Sequence, residues 1–600
     1  MNTPDSVVRS GPSRRALLAG VPGAGLAGAV GLAGATPAAA SPVLWEKPGA
    51  LGAPRVAGLH LQFGSDASRE VVVSWHTIAS VSRPRVLLGT PAGGLGRTVA
   101  AQTTTYRDAK SGTEVQVHHA RVRGLRPDTD YVYAAVHEGA QAEFGTIRTA
   151  PRGRSAFTFT SFGDQGTPTL GKKNDSGIYV NDNLGSPAAG DTTAGVERIA
   201  PLFHLVNGDL CYANLSTDRV RTWSDWFENN SRSARHRPWM PAAGNHENEL
   251  GNGPIGYGAY QTYFSLPDAG ADTELHGLWY AFTAGSVRVI SLNNDDVAFQ
   301  DGGNSYVHGY SGGAQKRWLE AELAASRANP GIDWVVACMH QVVISTADKF
   351  NGADLGIREE WVPLFDRYGV DLVVCGHEHH YERSHPIRGQ QSNDTRTPIP
   401  AATDTQTVDT TKGTVHMVIG GGGTSAPSNQ LLFPTPQCRV ITKVGPADPA
   451  TGKRPPVYVL EDAPWSAVRD AEHSYGFAAF EVDPGRPGGT TSIHITFYTV
   501  TGPYGDLVPV DRFTLTRPRG NHWRQLASVQ GYGASSRPCA KAPPLACEQG
   551  HGCAPYVVGR IHVAATVSQR TATSVQRMGV EYHSLAKPFP RVGDMFTLLA

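Results

Sequence analysis

The spacing of apolar residues along the chain changes near residue 155 and again near residue 519. Between residues 56 and 149, short runs alternate apolar and polar positions, and turn-forming residues separate them. A period of two in runs of this length predicts β-strands, and many short strands without helices predict two packed sheets. We therefore predict an all-β sandwich over residues 55–150, with Trp75 in its core.

From residue 155 to residue 517 strand-like and helix-like patterns alternate. The apolar runs are AFTFTSF, LFHLVN, PWMPAA, VRVISL, DWVVACM, VDLVVC and TVHMVI. The helical candidates between them are residues 192–203, 216–230, 313–328 and 357–368. This alternation predicts a layered α/β domain with a largely buried sheet. Polar stretches at 165–195, 389–412 and 424–472 are interpreted as surface insertions.

A turn in the first domain carries a recognisable pattern. Residues 124–131, GLRPDTDY, resemble the GLxPxTxY turn of fibronectin type III domains. The resemblance implies a fibronectin III-like sandwich in which Tyr131 is the corner tyrosine. On the preceding strand, His118 and His119 are interpreted as a surface pair.

Both ends of the chain differ from the globular part. Ser13-Arg14-Arg15-Ala16-Leu17-Leu18 precedes a weakly apolar stretch that ends in Ala38-Ala39-Ala40. This pattern predicts a twin-arginine signal peptide over residues 1–40, followed by a linker at 41–54. The alternative, an arginine pair before a membrane anchor, is disfavoured because the stretch is rich in glycine. Residues 518–600 show no periodicity and are interpreted as an unassigned tail, either disordered or read in an altered frame.

The composition of the chain excludes several classes of binding partner and cofactor site. The 53 basic residues equal the 53 acidic ones, so no nucleic acid or acidic membrane surface is expected as a stable partner. The seven cysteines form no CxxC pair, which argues against a zinc ribbon or a thioredoxin-type site. Cys211, Cys338 and Cys375 are interpreted as small buried hydrophobic residues. With the signal peptide, we expect a secreted or envelope-associated protein, exported by the twin-arginine translocase and without a stable membrane anchor.

Polar side chains follow five of the predicted strands. These segments are Gly163-Asp164-Gln165-Gly166, Gly208-Asp209-Leu210-Cys211-Tyr212, Gly244-Asn245-His246-Glu247, His340 and Gly376-His377-Glu378-His379. The carboxyl ends of strands in an open α/β sheet face one crevice, so we expect these side chains to meet there. Loop capping does not require so many convergent ligand-type residues, and the pattern predicts a metal site.

Three histidines lie within four positions at the end of VDLVVC. In an extended segment residues two apart face the same way, so His377 and His379 are expected to reach two ions of one pair. His380 would face the opposite side and is expected to be structural or on the surface.

Taken in order, GDxG, GDxxY, GNHE, a strand-terminal histidine and GHxH resemble the purple acid phosphatase family of dinuclear metallophosphoesterases, over residues 54–517. The resemblance implies these ligand sets: Asp164, Tyr212 and His379 for one ion, Asn245, His340 and His377 for the other, and Asp209 bridging both. It also implies that His246 faces the substrate without binding metal, and that Asn245 contributes to substrate binding.

The residue types suit two different ions. A phenolate such as that of Tyr212 is a hard, charged oxygen donor that suits Fe(III), whereas zinc favours His, Cys and carboxylate. The second set, with an amide and two imidazoles, suits divalent Zn, Fe or Mn. The net charge of the loaded site stays positive and attracts phosphate.

These observations favour an exported phosphatase that hydrolyses small phosphate monoesters. Hydroxide generated by the two ions would attack phosphorus, with Asp209 holding both ions and His246 donating a proton or hydrogen bond. A phosphodiesterase or nucleotide-cleaving enzyme on the same site remains an alternative, as does a non-catalytic exported binding protein. The loop after His340 lacks the histidines of plant members, which leaves Lys349 and Asn351 as candidate substrate contacts.

Overall fold

The computed structural model describes residues 52–168, 184–250, 255–300, 306–502 and 506–519. The predicted signal peptide, most of the linker and nearly all of the predicted tail lie outside the described residues. Within the described part of the chain, no helix has both the length and the apolar character needed to cross a membrane.

The first domain is a β-sandwich, as predicted. Its strands are β1 Ala57–Phe63, β2 Val71–Thr77, β3 Arg85–Thr90, β4 Gly94–Ala100, β5 Gln102–Arg107, β6 Glu114–Val122, β7 Asp130–Val136 and β8 Glu143–Arg148. They form two antiparallel four-stranded sheets in the orders β1-β2-β6-β5 and β4-β3-β7-β8. Trp75 is fully buried between the sheets. The hydroxyl of Tyr131 accepts a hydrogen bond of 2.8 Å from the Arg126 amide, which fixes the predicted corner.

The second domain contains the remaining strands and the helices. The strands are β9 Phe157–Phe162, β10 Phe203–Asn207, β11 Trp239–Ala242, β12 Tyr280–Ala284, β13 Val287–Ser291, β14 Trp334–Cys338, β15 Ala353–Asp354, β16 Leu372–Cys375, β17 Tyr381–Ser384, β18 Ile387–Gln390, β19 Pro398–Pro400, β20 Thr407–Asp409, β21 Val415–Ile419, β22 Gln437–Val444, β23 Pro456–Asp462, β24 Ser466–Asp470, β25 Gly476–Asp483, β26 Thr490–Thr501 and β27 Asp506–Pro518. The helices are α1 Ala188–Ile199, α2 Arg219–Ala234, α3 Gly258–Tyr263, α4 Ala314–Ala328, α5 Leu355–Glu360 and α6 Val362–Tyr368.

Two seven-stranded sheets form the centre of this domain. Their orders are β11-β10-β9-β25-β26-β27-β20 and β12-β13-β14-β16-β21-β17-β24. Strands β9, β10 and β11 are parallel in the first sheet, and β13, β14, β16 and β21 are parallel in the second. The sequence pattern predicted the α/β class correctly, but it did not reveal that the parallel strands are divided between two sheets.

Strand β14 shows how the layers pack. Trp334 and Val336 enter the core that the two sheets share, whereas Val335 and Ala337 enter a second core covered by helices α4, α5 and α6. Because side chains alternate across a strand, a strand covered on both faces is apolar throughout, which explains the continuous run DWVVACM.

Two predictions about local structure were wrong. The segments 389–412 and 424–472 were expected to be surface insertions, but they contain strands β19, β20, β22, β23 and β24. Strand β23 lies at the edge of its sheet, where most of its residues are exposed, so it carries no clear apolar alternation.

Histidines lie where the sandwich meets the second domain. The His60 ring stacks on Phe227 of α2 with centroids 4.4 Å apart, and His119 Nε2 lies 2.9 Å from the Thr262 carbonyl oxygen. His118 is buried. The interpretation of His118 and His119 as a surface pair was therefore wrong, because the strand face that carries His119 is covered by the second domain.

Candidate metal centre

The predicted site residues converge at the carboxyl ends of five strands drawn from both seven-stranded sheets. Strands β9, β10 and β11 lead to Asp164, Asp209 and Asn245, and strands β14 and β16 of the other sheet lead to His340 and His377. The crevice therefore lies where the ends of two sheets meet, and the single-sheet crevice assumed from the sequence is replaced by a junction between sheets.

Glycines allow this close approach. A Cβ atom on Gly163 would lie 2.9 Å from the Gly376 Cα, and one on Gly376 would lie 2.3 Å from Asp164 Oδ2. Any larger residue at either position would push the two sheets apart at the point where their ligands meet. A Cβ on Gly420 would lie 2.1 Å from the Glu378 carbonyl oxygen, so the backbone also packs closely at this position.

Several of the converging residues adopt left-handed backbone conformations that non-glycine residues rarely use. The φ angles are +55° at Asp164, +51° at Asp209, +57° at Tyr212 and +69° at His377. Such conformations are unfavourable unless the surroundings impose them, and they concentrate at functional sites. The backbone strain here aims four side chains into one small volume.

One group of donor atoms consists of Asp164, Tyr212 and His379. The Tyr212 hydroxyl oxygen lies 3.2 Å from Asp164 Oδ1 and 3.1 Å from His379 Nε2. His379 Nε2 lies 3.1 Å from Asp164 Oδ1. Three ligand atoms of the types that iron accepts thus stand at mutual distances of 3.1–3.2 Å.

A second group of donor atoms surrounds His340. Its Nε2 lies 3.1 Å from Asp209 Oδ2, 3.0 Å from Asn245 Oδ1 and 3.0 Å from His377 Nδ1. The ligand atoms of Asp209, His340 and His377 all lie within 4.8 Å of one another, and all three residues are buried. This arrangement is compact enough for one ion to contact all of these atoms.

The outer ring nitrogen of each of the three histidines contacts a fixed oxygen. The pairs are His340 Nδ1 with the Asn207 carbonyl oxygen at 2.8 Å, His379 Nδ1 with the Ala426 carbonyl oxygen at 2.7 Å, and His377 Nε2 with Gln300 Oε1. Backbone carbonyl and side-chain amide oxygens accept hydrogen bonds only, so in the neutral rings the outer nitrogens donate and the inner nitrogens present lone pairs.

Those lone pairs face other acceptors, which makes the residues fit a cation. In the neutral tautomers just described, the lone pair of His340 Nε2 faces Asp209 Oδ2 and Asn245 Oδ1, and that of His377 Nδ1 faces His340 Nε2, so a proton or a metal ion is needed between these atoms. Burial raises the pKa of Tyr212 well above its ordinary value, and Asp164 and Asp209 raise it further, so a phenolate there requires strong positive charge nearby. Metal ions meet both requirements.

His246 lies beside the ligands without joining them. Its amide donates to Asp209 Oδ1 at 2.9 Å, its Nδ1 lies 2.9 Å from Asn214 Oδ1, and its ring lies over that of Tyr212 with centroids 4.5 Å apart. Its Nε2 lies 3.9 Å from Asp209 Oδ2. The side chain is 16% exposed, so the ring has a free edge toward solvent from which a substrate can enter.

The expected alternation of the three neighbouring histidines assumed an extended segment, and this assumption was wrong. The segment from His377 to His380 bends, with φ of +69° at His377, and is not an extended strand. His377 and His379 still reach different donor groups. His380 is buried and structural, with Nε2 lying 3.0 Å from Glu382 Oε1 and Nδ1 lying 2.9 Å from Ser428 Oγ.

Sequence reasoning missed the residues that hold the ligands in place. Glu247 accepts three backbone amide hydrogen bonds, at 2.9 Å from Asp209, 2.9 Å from Leu210 and 2.7 Å from Gly244. It thereby joins the loops after β10 and β11. Glu247 is part of the GNHE motif, but its hydrogen bonds to the backbone of the neighbouring loop cannot be predicted from the sequence.

The structure shows the surroundings of Lys349 and Asn351, the candidate substrate contacts in the loop after His340. Asn351 donates to the His377 carbonyl oxygen at 2.7 Å, so its amide nitrogen supports the metal centre. Lys349 is exposed, and the Phe350 ring lies 4.8 Å from that of His379. Cys211, Cys338 and Cys375 are free thiols in the core, as predicted.

Comparison with known proteins agrees with this geometry. Residues 56–150 match the purple acid phosphatase N-terminal domain, and residues 189–381 match the calcineurin-like phosphoesterase family. The chain is 66% identical over 514 residues to an uncharacterised protein of Mycobacterium tuberculosis, covering 85% of this chain and 97% of the relative.

More distant relatives carry names that state an activity. The chain is 28% identical to a phosphoenolpyruvate phosphatase of Allium cepa, covering 61% of this chain and 69% of that protein. It is 26% identical to a purple acid phosphatase of Glycine max, covering 61% and 72%. The fold is also that of a yellow lupin purple acid phosphatase, with a TM-score of 0.56, 20% identity, and coverage of 77% of this chain and 75% of that one.

Both domains, the order of the motifs and the meeting of their side chains thus agree with the relatives. The chain belongs to the purple acid phosphatase family of dinuclear metallophosphoesterases and is a phosphoric ester hydrolase.

Proposed function

We propose that this protein hydrolyses phosphate monoesters on a centre that pairs Fe(III) with divalent Zn, Fe or Mn. The observation that carries the proposal is the division of the donor atoms into two adjoining groups. Asp164 and Tyr212 make one group anionic and hard, and Asn245, His340 and His377 make the other largely neutral, with Asp209 between them as the proposed bridge. The name of the onion relative, a phosphatase of a monoester, supports the substrate class.

When bound, the two ions would supply the positive charge that holds a phosphate and the activation of the water that attacks phosphorus. The protein residues contribute geometry and proton transfer. The Asn214 side-chain oxygen accepts from Nδ1 of His246, so Nε2 is the atom that would hold the second proton of the imidazolium form and pass it to the leaving oxygen. Glu247 keeps Asp209 and the backbone of Gly244 in register.

Activity, metal content and colour of the purified protein test the proposal together. We expect hydrolysis of p-nitrophenyl phosphate to exceed that of bis-p-nitrophenyl phosphate, with about two metal ions per chain. We also expect a visible tyrosinate-to-iron absorption band that a Tyr212→Phe variant lacks. A preference for the diester would favour the phosphodiesterase alternative, and a protein without metal or turnover would favour a binding role.

We further propose that the protein is exported, with a signal peptide at residues 1–40 ahead of the domains at 55–150 and 155–517. The support is the Arg14-Arg15 pair and the Ala38-Ala39-Ala40 site. Replacement of both arginines by lysine should retain the full-length precursor in the cytoplasm, as detected by cell fractionation. Export of this double variant at the wild-type level would contradict the proposal.

A further inference from the structure

The sandwich domain touches both loops that frame His246. The connection between β5 and β6 reaches the second domain, where Lys110 Nζ donates to the Ser216 carbonyl oxygen at 3.0 Å. Ser216 ends the helical turn Ala213–Leu215, which includes Asn214, the side-chain partner of His246. The first domain is therefore in contact with the loop that follows β10.

A buried polar cluster joins the sandwich to the other loop. Glu249, three residues after His246, accepts a hydrogen bond of 2.7 Å from the Tyr106 hydroxyl and one of 2.8 Å from Trp223 Nε1. Arg219 lies 3.6 Å from both Glu249 and Asp108. Tyr106, Asp108, Trp223 and Glu249 are all buried, so their hydrogen bonds are shielded from water and hold their partners firmly.

The chain around His246 is thus fixed at two points. On one side the His246 amide is held by Asp209 Oδ1, and on the other side Glu249 is held by Tyr106 and Trp223. The ring itself is oriented by Asn214. Only Glu247 and Asn248 lie between His246 and Glu249, so displacement of the Glu249 carboxylate is transmitted to the histidine over a short length of backbone.

We propose that Tyr106 and Lys110 of the sandwich domain are positioning residues for His246, acting through Glu249 and Ser216 respectively. The sandwich would then set the placement of the proton donor for the leaving group, in addition to packing against the second domain. The inference rests on the proposed function, in which His246 Nε2 delivers that proton.

The choice of leaving group isolates this role. Phenolate is a poor leaving group that depends on protonation, whereas p-nitrophenolate leaves with little help. A displaced His246 should therefore slow hydrolysis of phenyl phosphate more than that of p-nitrophenyl phosphate. The ratio of the two kcat/KM values is independent of the fraction of folded or metal-loaded enzyme, so a general loss of stability leaves it unchanged.

Tyr106→Phe and Tyr133→Phe form a matched pair of variants. The Tyr133 hydroxyl also crosses from the sandwich to the second domain, donating to the Arg235 carbonyl oxygen at 2.9 Å, but it does so at the end of α2 and away from both loops. We expect Tyr106→Phe to lower the phenyl to p-nitrophenyl ratio about 10-fold at unchanged metal content. We expect Tyr133→Phe to leave the ratio at the wild-type value.

Two further variants complete the test. Lys110→Met, on an exposed residue, should lower the ratio in the same direction without threatening folding. In a His246→Ala background Tyr106→Phe should cause no additional change of ratio, because residues that act through one group are not additive. A ratio unaffected by both Tyr106→Phe and Lys110→Met, an equal change in Tyr133→Phe, or an additive double variant overturns the inference.

Hydrolysis of the two esters by the wild-type protein tests the proposed function independently of the role of the sandwich domain. If the wild-type protein hydrolyses both esters but Tyr106→Phe and Lys110→Met leave the ratio unchanged, the inference fails and the proposed function stands. If the wild-type protein with its metals bound hydrolyses neither ester, both fail.

Discussion

The protein buries histidines in two regions, the domain interface and the metal centre, and their roles differ. Where the sandwich meets the second domain, His60 and His76 contact carbonyl and hydroxyl oxygens of Gly58, Tyr263 and Ser224. In the metal centre, His340 Nε2 faces the Asp209 carboxylate and the Asn245 amide oxygen, and His377 Nδ1 faces His340 Nε2. All of these rings are nearly inaccessible to solvent. Burial alone therefore does not distinguish a structural histidine from a ligand.

The neighbouring charge makes the difference. Burial lowers the pKa of His60 to about 4 and that of His76 to about 3, so both remain neutral at pH 7. Burial would lower the pKa of His340 as well, but Asp209 and Asp164 outweigh it and raise that pKa to about 10. Two buried carboxylates thus turn a histidine cluster into a place that stabilises positive charge, which a metal ion can supply in place of the proton.

Removal of one of these carboxylates should have the largest effect. We expect Asp209→Ala to lose bound metal and to reduce kcat by on the order of 10³-fold or more, because the proposed bridge between the donor groups disappears. Metal analysis and steady-state kinetics check this, with circular dichroism to verify folding. A folded variant that keeps both its metal and its turnover would refute the assignment of Asp209.

Changes on either side of Asp209 should separate the two donor groups. We expect Tyr212→Phe to abolish the visible absorption band, and His340→Ala to retain it while losing the divalent ion. Each should reduce kcat by about 10²-fold, as expected for loss of one stabilising group at the reacting centre. Absorption spectra and metal analysis of both variants check this. Loss of the band in His340→Ala alone would reverse the proposed assignment of the ions.

A smaller effect is expected from the residue that orients His377. Gln300→Leu removes the oxygen that contacts His377 Nε2, and we expect an affinity for the divalent ion about 10-fold weaker, as is typical for such supporting contacts. Chelator competition measures it. The control is Gln116→Leu in the sandwich, where the amide donates to Thr105 at 3.1 Å and metal affinity should not change. Equal affinities in both variants would exclude a supporting role for Gln300.

Protonation of the histidines at the domain interface should lower the stability of the fold without affecting metal binding. The folded protein holds His60 and His76 neutral, whereas the unfolded chain protonates them near the ordinary pKa of about 6.5. The free energy of unfolding contributed by these groups is therefore intact above pH 6.5 and falls as the pH drops toward 4 and then 3. Urea denaturation at pH 7, 5.5 and 4 measures this loss.

A His76→Gln variant provides the control for this experiment. It removes one titrating group from the interface, so its stability should fall less steeply with decreasing pH than that of the wild type. Its metal content at pH 7 should match the wild type, because His76 does not contact the metal centre. An unchanged pH dependence would show that the interface histidines do not govern acid stability.

Much of the site was predictable because its chemistry lies in short motifs. Glycine followed by Asp, Asn or His at the end of an apolar strand is a local pattern, and the seven expected ligand side chains all lie in the two donor groups. The supporting residues were not predictable. Gln300 and Asn214 each contact a histidine more than 30 positions away in sequence, and no local sequence motif around either residue indicates that contact.

By itself, the sequence determined the two fold classes, the order of the domains and the types of ligand available, since these follow from local periodicity and from the donor atoms of single residues. Tertiary structure decided which donors share an ion-sized space. That outcome depends on two sheets closing at Gly163 and Gly376, where absent side chains allow the backbones to approach. Tertiary structure also decided that His60 and His119 lie in the domain interface. The pattern of a strand shows which residues share a face, but it does not show whether another domain covers that face.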